Sequence, residues 1–184
     1  MTERYIEFLL AAPQACRTLP DSLRQVRNAS FGFCDSWRRN EWADASKTSE
    51  EAFEALDHIQ NELLRHRDCQ AKLTGWETSA LYLSLEKRVG DLLKPANTAQ
   101  VDEFLAQKEG QGEMPAGGPI IALTLGTALN KLKHHAPGGI RFSIADGKHM
   151  LFFYTQAAQN IPNTIASFDV QTFLDACTKA SKSL

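Results

Sequence analysis

The stretch Ile140-Arg141-Phe142-Ser143-Ile144-Ala145-Asp146-Gly147-Lys148-His149-Met150-Leu151-Phe152-Phe153-Tyr154-Thr155 decides the fold class. Ile140, Phe142 and Ile144 alternate with Arg141 and Ser143, the period of a strand rather than a helix. Asp146-Gly147 is a preferred two-residue hairpin turn, because both residue types tolerate positive φ. That turn sets the register. Ile144 falls opposite His149, Phe142 opposite Leu151 and Ile140 opposite Phe153, all on one face. Met150, Phe152 and Tyr154 share the other face, so both faces are expected to be at least partly covered.

Downstream, Asn160 to Asn163 reads as a turn and Thr164 to Phe168 as a candidate third strand. Asp169 can cap a final helix carrying Val170, Phe173, Leu174 and Cys177. Upstream the periodicity is helical. Thr48 and Glu51 fit a capping box, ahead of Phe53, Leu56, Ile59, Leu63 and Leu64 on one face. A second helix is predicted from about Glu77 to Lys94, with Leu81, Leu85, Val89 and Leu92 as its stripe and Pro95 as its stop. Ala99 to Lys108 is a shorter amphipathic candidate. Glu109 to Gly118 is a loop rich in glycine, and Pro119 suits the first position of a helix running to His135. Thr2 to Ala12 reads as a short helix, whereas Asp21 to Trp42 fits no single period. The expected architecture is α+β and predominantly helical, with one domain over 1–184. Residues 1–47 form a helical or irregular segment, 48–136 a helical bundle, and 137–184 a meander of two or three antiparallel strands plus the C-terminal helix.

Composition narrows the function classes. The chain has 184 residues, 43% hydrophobic and 23% charged, with a net charge of −2, so it exerts no global pull on nucleic acid or anionic membranes. Cys16, Cys34, Cys69 and Cys177 show no C-x-x-C pair and no zinc-finger spacing, which fits reduced thiols in a cytoplasmic protein. The apolar run Phe8 to Ala12 is too short for a signal core and follows Glu3 and Glu7. No run reaches the roughly 18 apolar residues of a membrane helix, so no membrane partner is expected. Phosphate-loop, dinucleotide and nucleophile-elbow motifs are missing, and neither a cofactor nor a metal is expected.

The compact polar group is Leu129-Asn130-Lys131-Leu132-Lys133-His134-His135. On a helix Asn130 and His134 are neighbours at i and i+4. An amide beside an imidazole can hold that ring in one tautomer, or bind a phosphate or hydroxyl. Lys131, Lys133 and His135 add binding capacity. The same residues also suit a helix C-terminus, where cations are favoured by the macrodipole.

A helical segment over about Thr48 to His135 that ends in Asn130-x-x-x-His134 resembles the higher eukaryotes and prokaryotes nucleotide-binding (HEPN) superfamily of helical nucleases, toxins and defence proteins. The family signature is Arg, often followed by Asn, then variable residues and His. Leu129 stands where Arg is expected, which removes a cation that would meet RNA phosphate. The resemblance implies an accessory or defence-type protein that binds RNA or a nucleotide without efficient catalysis, and a homodimer with the motif at its cleft. In a catalytic version, His134 would act as general acid or base of a metal-independent ribonuclease and Asn130 would orient it. The alternative is a non-catalytic protein-interaction module acting as a homodimer.

Three further groups each carry two readings. His58, Glu62, Arg65 and His66 on one helix face suit a metal or a solvated, ion-paired surface. Asp146 and His149, with His134 and His135 upstream, suit a metal or hydrolytic site, although turn chemistry already accounts for Asp146. Arg24, Arg27, Arg38 and Arg39 interleave with Phe31, Phe33, Trp37 and Trp42. That pattern suits single-stranded nucleic acid, or a core rimmed by arginines.

Overall fold

The computed structural model describes residues 18–158 and 161–184. The helix expected over Thr2 to Ala12 and Cys16 lie outside these residues, and the turn expected over 160–163 lies partly outside them.

The chain opens with two long helices, α1 (Leu19–Arg38) and α2 (Trp42–Gln70). Thr18 caps α1 by accepting from the Asp21 amide, and Pro20 sits in its first turn, where no donor is lost. Asn40 turns the chain at a positive φ of 60°. The contacts Ser22–His58, Gln25–Glu51 and Gly32–Thr48 run in opposite senses along the two helices, so they form an antiparallel hairpin. The helix expected to start at Thr48 therefore starts earlier. Thr48 lies inside α2 and its hydroxyl donates to the Asp44 carbonyl at 2.8 Å, a back-bond instead of a cap.

After a 3-10 turn (Trp76–Thr78) come α3 (Ala80–Leu85), strand β1 (Arg88–Leu93), α4 (Thr98–Leu105), strand β2 (Ile120–Thr124) and α5 (Leu125–Lys133). Strands β3 (Ile140–Ala145), β4 (Lys148–Thr155) and β5 (Thr164–Asp169) and helix α6 (Val170–Ser181) complete the chain. The five strands form one antiparallel sheet in the order β2-β1-β5-β4-β3.

The class is α+β, but the expected architecture needs correction. Residues 48–136 are not an uninterrupted helical bundle, and the sheet is not a meander of two or three strands. The helix expected over Glu77 to Lys94 ends at Leu85, and the chain continues as β1. The helix expected from Pro119 is β2 first and becomes helical only at Leu125. The physical reasons sit at Gly90 and Ile120-Ile121. A Cβ on residue 90 would lie 1.9 Å from the Ser167 carbonyl oxygen, so glycine is what lets β5 lie beside β1. Adjacent β-branched isoleucines favour the pleated backbone. The capping box forms at α4, where the Asn97 side chain takes the Gln100 amide and the Gln100 side chain takes the Asn97 amide.

The third strand and the Asp169 cap do form; the Asp169 carboxylate accepts from the Thr172 amide at 2.9 Å. The hairpin has the register expected of its turn, with Ile144 against His149, Phe142 against Leu151 and Ile140 against Phe153. Asp146 and Gly147 both take positive φ, at 51° and 74°. One sheet face carries Leu92, Leu123, Phe153 and Phe168 into a core with Ile59, Leu63, Leu129, Phe173 and Leu174 of the helices. The other carries Leu93, Phe152, Tyr154 and Ile165 against Val101 and Phe104 of α4. The helical layer covers the sheet unevenly. Under β3 the face is left half-covered, with Ile140 36% exposed.

Candidate functional site

The polar group at the end of α5 is built mostly from local interactions. Leu125, Ala128, Leu129 and Leu132 bury the inner face of the helix. The Leu129 carbonyl accepts from the Gln60 side-chain amide of α2 at 2.7 Å, which ties the two helices together. Asn130 is half-buried, whereas His134 is exposed as the C-cap residue, already outside helical geometry at φ −117° and ψ 23°. No side-chain hydrogen bond joins Asn130 to His134 among the described residues. His135 turns back and donates from Nδ1 to the Leu132 carbonyl at 2.6 Å, filling an acceptor that the helix end leaves open. Lys133 is exposed. Lys131 is half-buried, and burial, followed by the charge of Lys94, lowers the pKa of its ammonium. None of these five residues lines either of the two clefts described below.

The other polar groups also disperse. His58 faces α1, its Nδ1 2.9 Å from the Ser22 hydroxyl. Glu62 pairs with Arg65 at 2.7 Å, and that hydrogen bond holds its carboxyl below the ordinary range. Among the described residues no group of three or more His, Cys, Asp or Glu side chains could hold a metal. Arg24, Arg27 and Arg39 are committed to Asp21, Asp175 and Asp35 at 2.8, 2.9 and 2.7 Å. Phe31 points outward at 66% exposure.

Three aromatics of that same α1–α2 stretch converge with the hairpin instead. Phe33 and Trp37 lie one turn apart on α1 and meet Phe142 edge-on, with ring centroids at 4.9 and 4.7 Å. Trp42, at the start of α2, meets Trp37 at 4.6 Å and stays 53% exposed. His149 stacks flat on Phe33 at 5.2 Å, and its Nδ1 lies 2.8 Å from the Ser30 hydroxyl. Burial pushes the His149 pKa down to about 4, against a weaker upward pull from Asp169, so the ring is neutral at pH 7.

These rings line a groove between the α1–α2 hairpin and the half-covered face of β3 and β4. Its outer part is walled by Trp37, Trp42, Phe33 and Phe142, with Glu50, Lys108, Glu109 and Arg141 at the mouth. The Arg141 Nη1 donates to the Gly138 and Ile140 carbonyls and Nη2 to the Leu105 carbonyl, while its buried Nε has no partner among the described residues. The inner part is an apolar cavity of about 240 Å³ walled by Phe33, Phe53, Leu56, Phe142, His149 and Leu151, with Phe168 and Phe173 as its floor.

The Ser30–His149 pair has the residue types of a nucleophile and base but not their setting. Ser30 sits inside α1, where backbone N–H groups are spent in the helix and offer no oxyanion donors. The Asp169 carboxylate is committed to the Thr172 amide and hydroxyl. The pair ties α1 to β4, and the groove is suited to binding. Sequence reasoning had these residues in separate groups. The usable signals were the i, i+4 spacing of Phe33 and Trp37 and the hairpin register that put Phe142 and His149 on one face. Comparison with protein-family models, curated proteins and solved structures gave no match to this chain.

Proposed function

We propose that this protein is a non-catalytic interaction module that takes an apolar segment of a protein partner in the groove between α1–α2 and the β3–β4 hairpin. One observation carries the reading: four aromatic rings, Phe33, Trp37, Trp42 and Phe142, converge on one cleft, and Trp42 remains over half exposed. Clustered aromatics with a polar rim are the composition of binding hot spots. Three of the four arginines that would serve a nucleic-acid surface, Arg24, Arg27 and Arg39, are ion-paired, and the mouth carries both charge signs.

The test is selection of peptides from a random library on the immobilised chain, followed by affinities for variants. Selected peptides should carry aromatic or large aliphatic residues. Their affinity should fall at least about 10-fold in Trp42→Ala, as for a hot-spot truncation, and stay unchanged in His134→Ala. Binders indifferent to Trp42→Ala and Phe33→Ala would overturn the proposal. Self-association is one way to fill such a groove, and a homodimer would show in sedimentation equilibrium as a mass lost in Trp42→Ala.

A further inference from the structure

The inner cavity is chemically narrower than the groove as a whole. None of its walls bears a charged side chain, whereas Glu50, Lys108, Glu109 and Arg141 all stand at the outer mouth. Its volume of about 240 Å³ falls below the roughly 300–1,000 Å³ of pockets that enclose a drug-sized ligand. It has room for one bulky group, with the rest of the ligand left in the outer groove.

The polar side chains in the walls are Ser30, Thr48, Ser49 and His149, and the Ser49 hydroxyl, shared with the outer groove, has no partner among the described residues. The Thr48 hydroxyl is donated to the Asp44 carbonyl. The Ser30 hydroxyl is engaged with His149 Nδ1 at 2.8 Å, and its proton has no other acceptor among the described residues. Both atoms are satisfied when the Ser30 O–H donates to Nδ1. The neutral ring then carries its own proton on Nε2. Nε2 has no protein partner among the described residues and His149 lines the cavity, so the ring brings one unspent N–H to this wall. The ring itself is held between Phe33, stacked on it, and Phe142, edge-on to it at 6.2 Å.

A slot with apolar walls, no charge, the His149 N–H and the Ser49 hydroxyl selects a flat apolar group whose single neutral polar atom can both accept and donate. A phenol meets that description. Benzyl leaves both polar groups unused, an indole N–H can only donate and leaves the His149 N–H unused, and a phosphorylated or carboxylate group finds no cation to replace its hydration. Resting on the interaction-module reading above, we propose that the inner cavity takes the side chain of an unmodified tyrosine from the partner's segment, its hydroxyl accepting from His149 Nε2.

The test uses the full chain and four acetylated, amidated heptapeptides with a common Gly-Gly-Ser-X-Ser-Gly-Gly frame. X is tyrosine, phenylalanine, phosphotyrosine or glutamate, and affinities are read by calorimetry and amide chemical shifts. The tyrosine peptide should bind roughly 2- to 12-fold more tightly than the phenylalanine peptide, the worth of one net hydrogen bond. The phosphotyrosine and glutamate peptides should bind at least about 10-fold more weakly than tyrosine, for want of any cation. In His149→Phe, which keeps an aromatic ring against Phe33, the tyrosine advantage should vanish while the phenylalanine peptide still binds. Equal affinity for tyrosine and phenylalanine in the unaltered chain overturns the tyrosine assignment and leaves the groove as a general apolar site. Tighter binding of phosphotyrosine, or a tyrosine advantage that survives in His149→Phe, overturns it too. Failure of every peptide to bind or to shift groove amides at millimolar concentration overturns the tyrosine assignment. Library peptides that still depend on Trp42 would then keep the broader reading intact.

Discussion

The end of α5 and the aromatic groove make an instructive pair. In the first, Asn130, Lys131, Lys133, His134 and His135 are consecutive or nearly so in sequence, yet the helix end absorbs or disperses them. His135 returns to a carbonyl three residues back, Lys131 is half-buried and His134 stands alone in solvent. In the second, Ser30 and His149 are 119 residues apart and touch at 2.8 Å. Polar residues clustered along a helix are held apart by its own geometry and spent on its own terminus. Convergence on a concave surface requires separate elements.

The comparison can be broken at the groove floor first. Phe168 is 2% exposed and packs on Phe153 and Phe173, so Phe168→Ala should cost about 3–5 kcal/mol in urea unfolding. A much smaller cost would mean that the floor is loosely packed and the cavity plastic.

Next comes pH. The His149 pKa is 6.5 in an ordinary setting and about 4 in the fold. Between those values the unfolded chain holds the extra proton. Its stabilising contribution is therefore complete above the upper value and drains away as pH falls towards the lower one. The window is worth about 3 kcal/mol. Urea unfolding across it, with His149→Phe subtracted to remove the carboxylates' share, reads this contribution directly. An identical pH slope in both proteins would contradict the burial of the ring.

Ser30→Ala strands His149 Nδ1 in an apolar wall, and about 1–2 kcal/mol of stability should go with it. The smallest effect belongs to the other region. His134→Ala should change stability by less than about 0.5 kcal/mol, as for an exposed surface position. It should also leave RNA binding and cleavage at the level of the unaltered chain. A clear loss of either activity would reverse the ranking of the two regions and return attention to Asn130 and the lysines around it.

What could be read beforehand follows the range of the interactions. The β3–β4 hairpin was legible down to its register because a two-residue turn and an alternating pattern are local information. The Asp169 cap and the third strand were legible for the same reason. β1 was not, since Leu81, Leu85, Val89 and Leu92 are spaced as a helix would space them. Only Gly90 hinted that another backbone passes close by, and its partner Ser167 is far away in sequence. The groove was hidden by the same distance. Phe33, Trp37, Phe142 and His149 each stand out in the sequence, but nothing local in it says that α1 lies across β3 and β4.

The tight turn between those two strands has a reach beyond its two residues. Side chains on a strand alternate sides, so one residue added at Asp146-Gly147 would rotate the whole return strand. His149 would swing towards α4, and Lys148 would take its place against Phe33. The left-handed pair at the tip, itself outside the cavity wall, thereby chooses whether an imidazole or an ammonium faces the visitor.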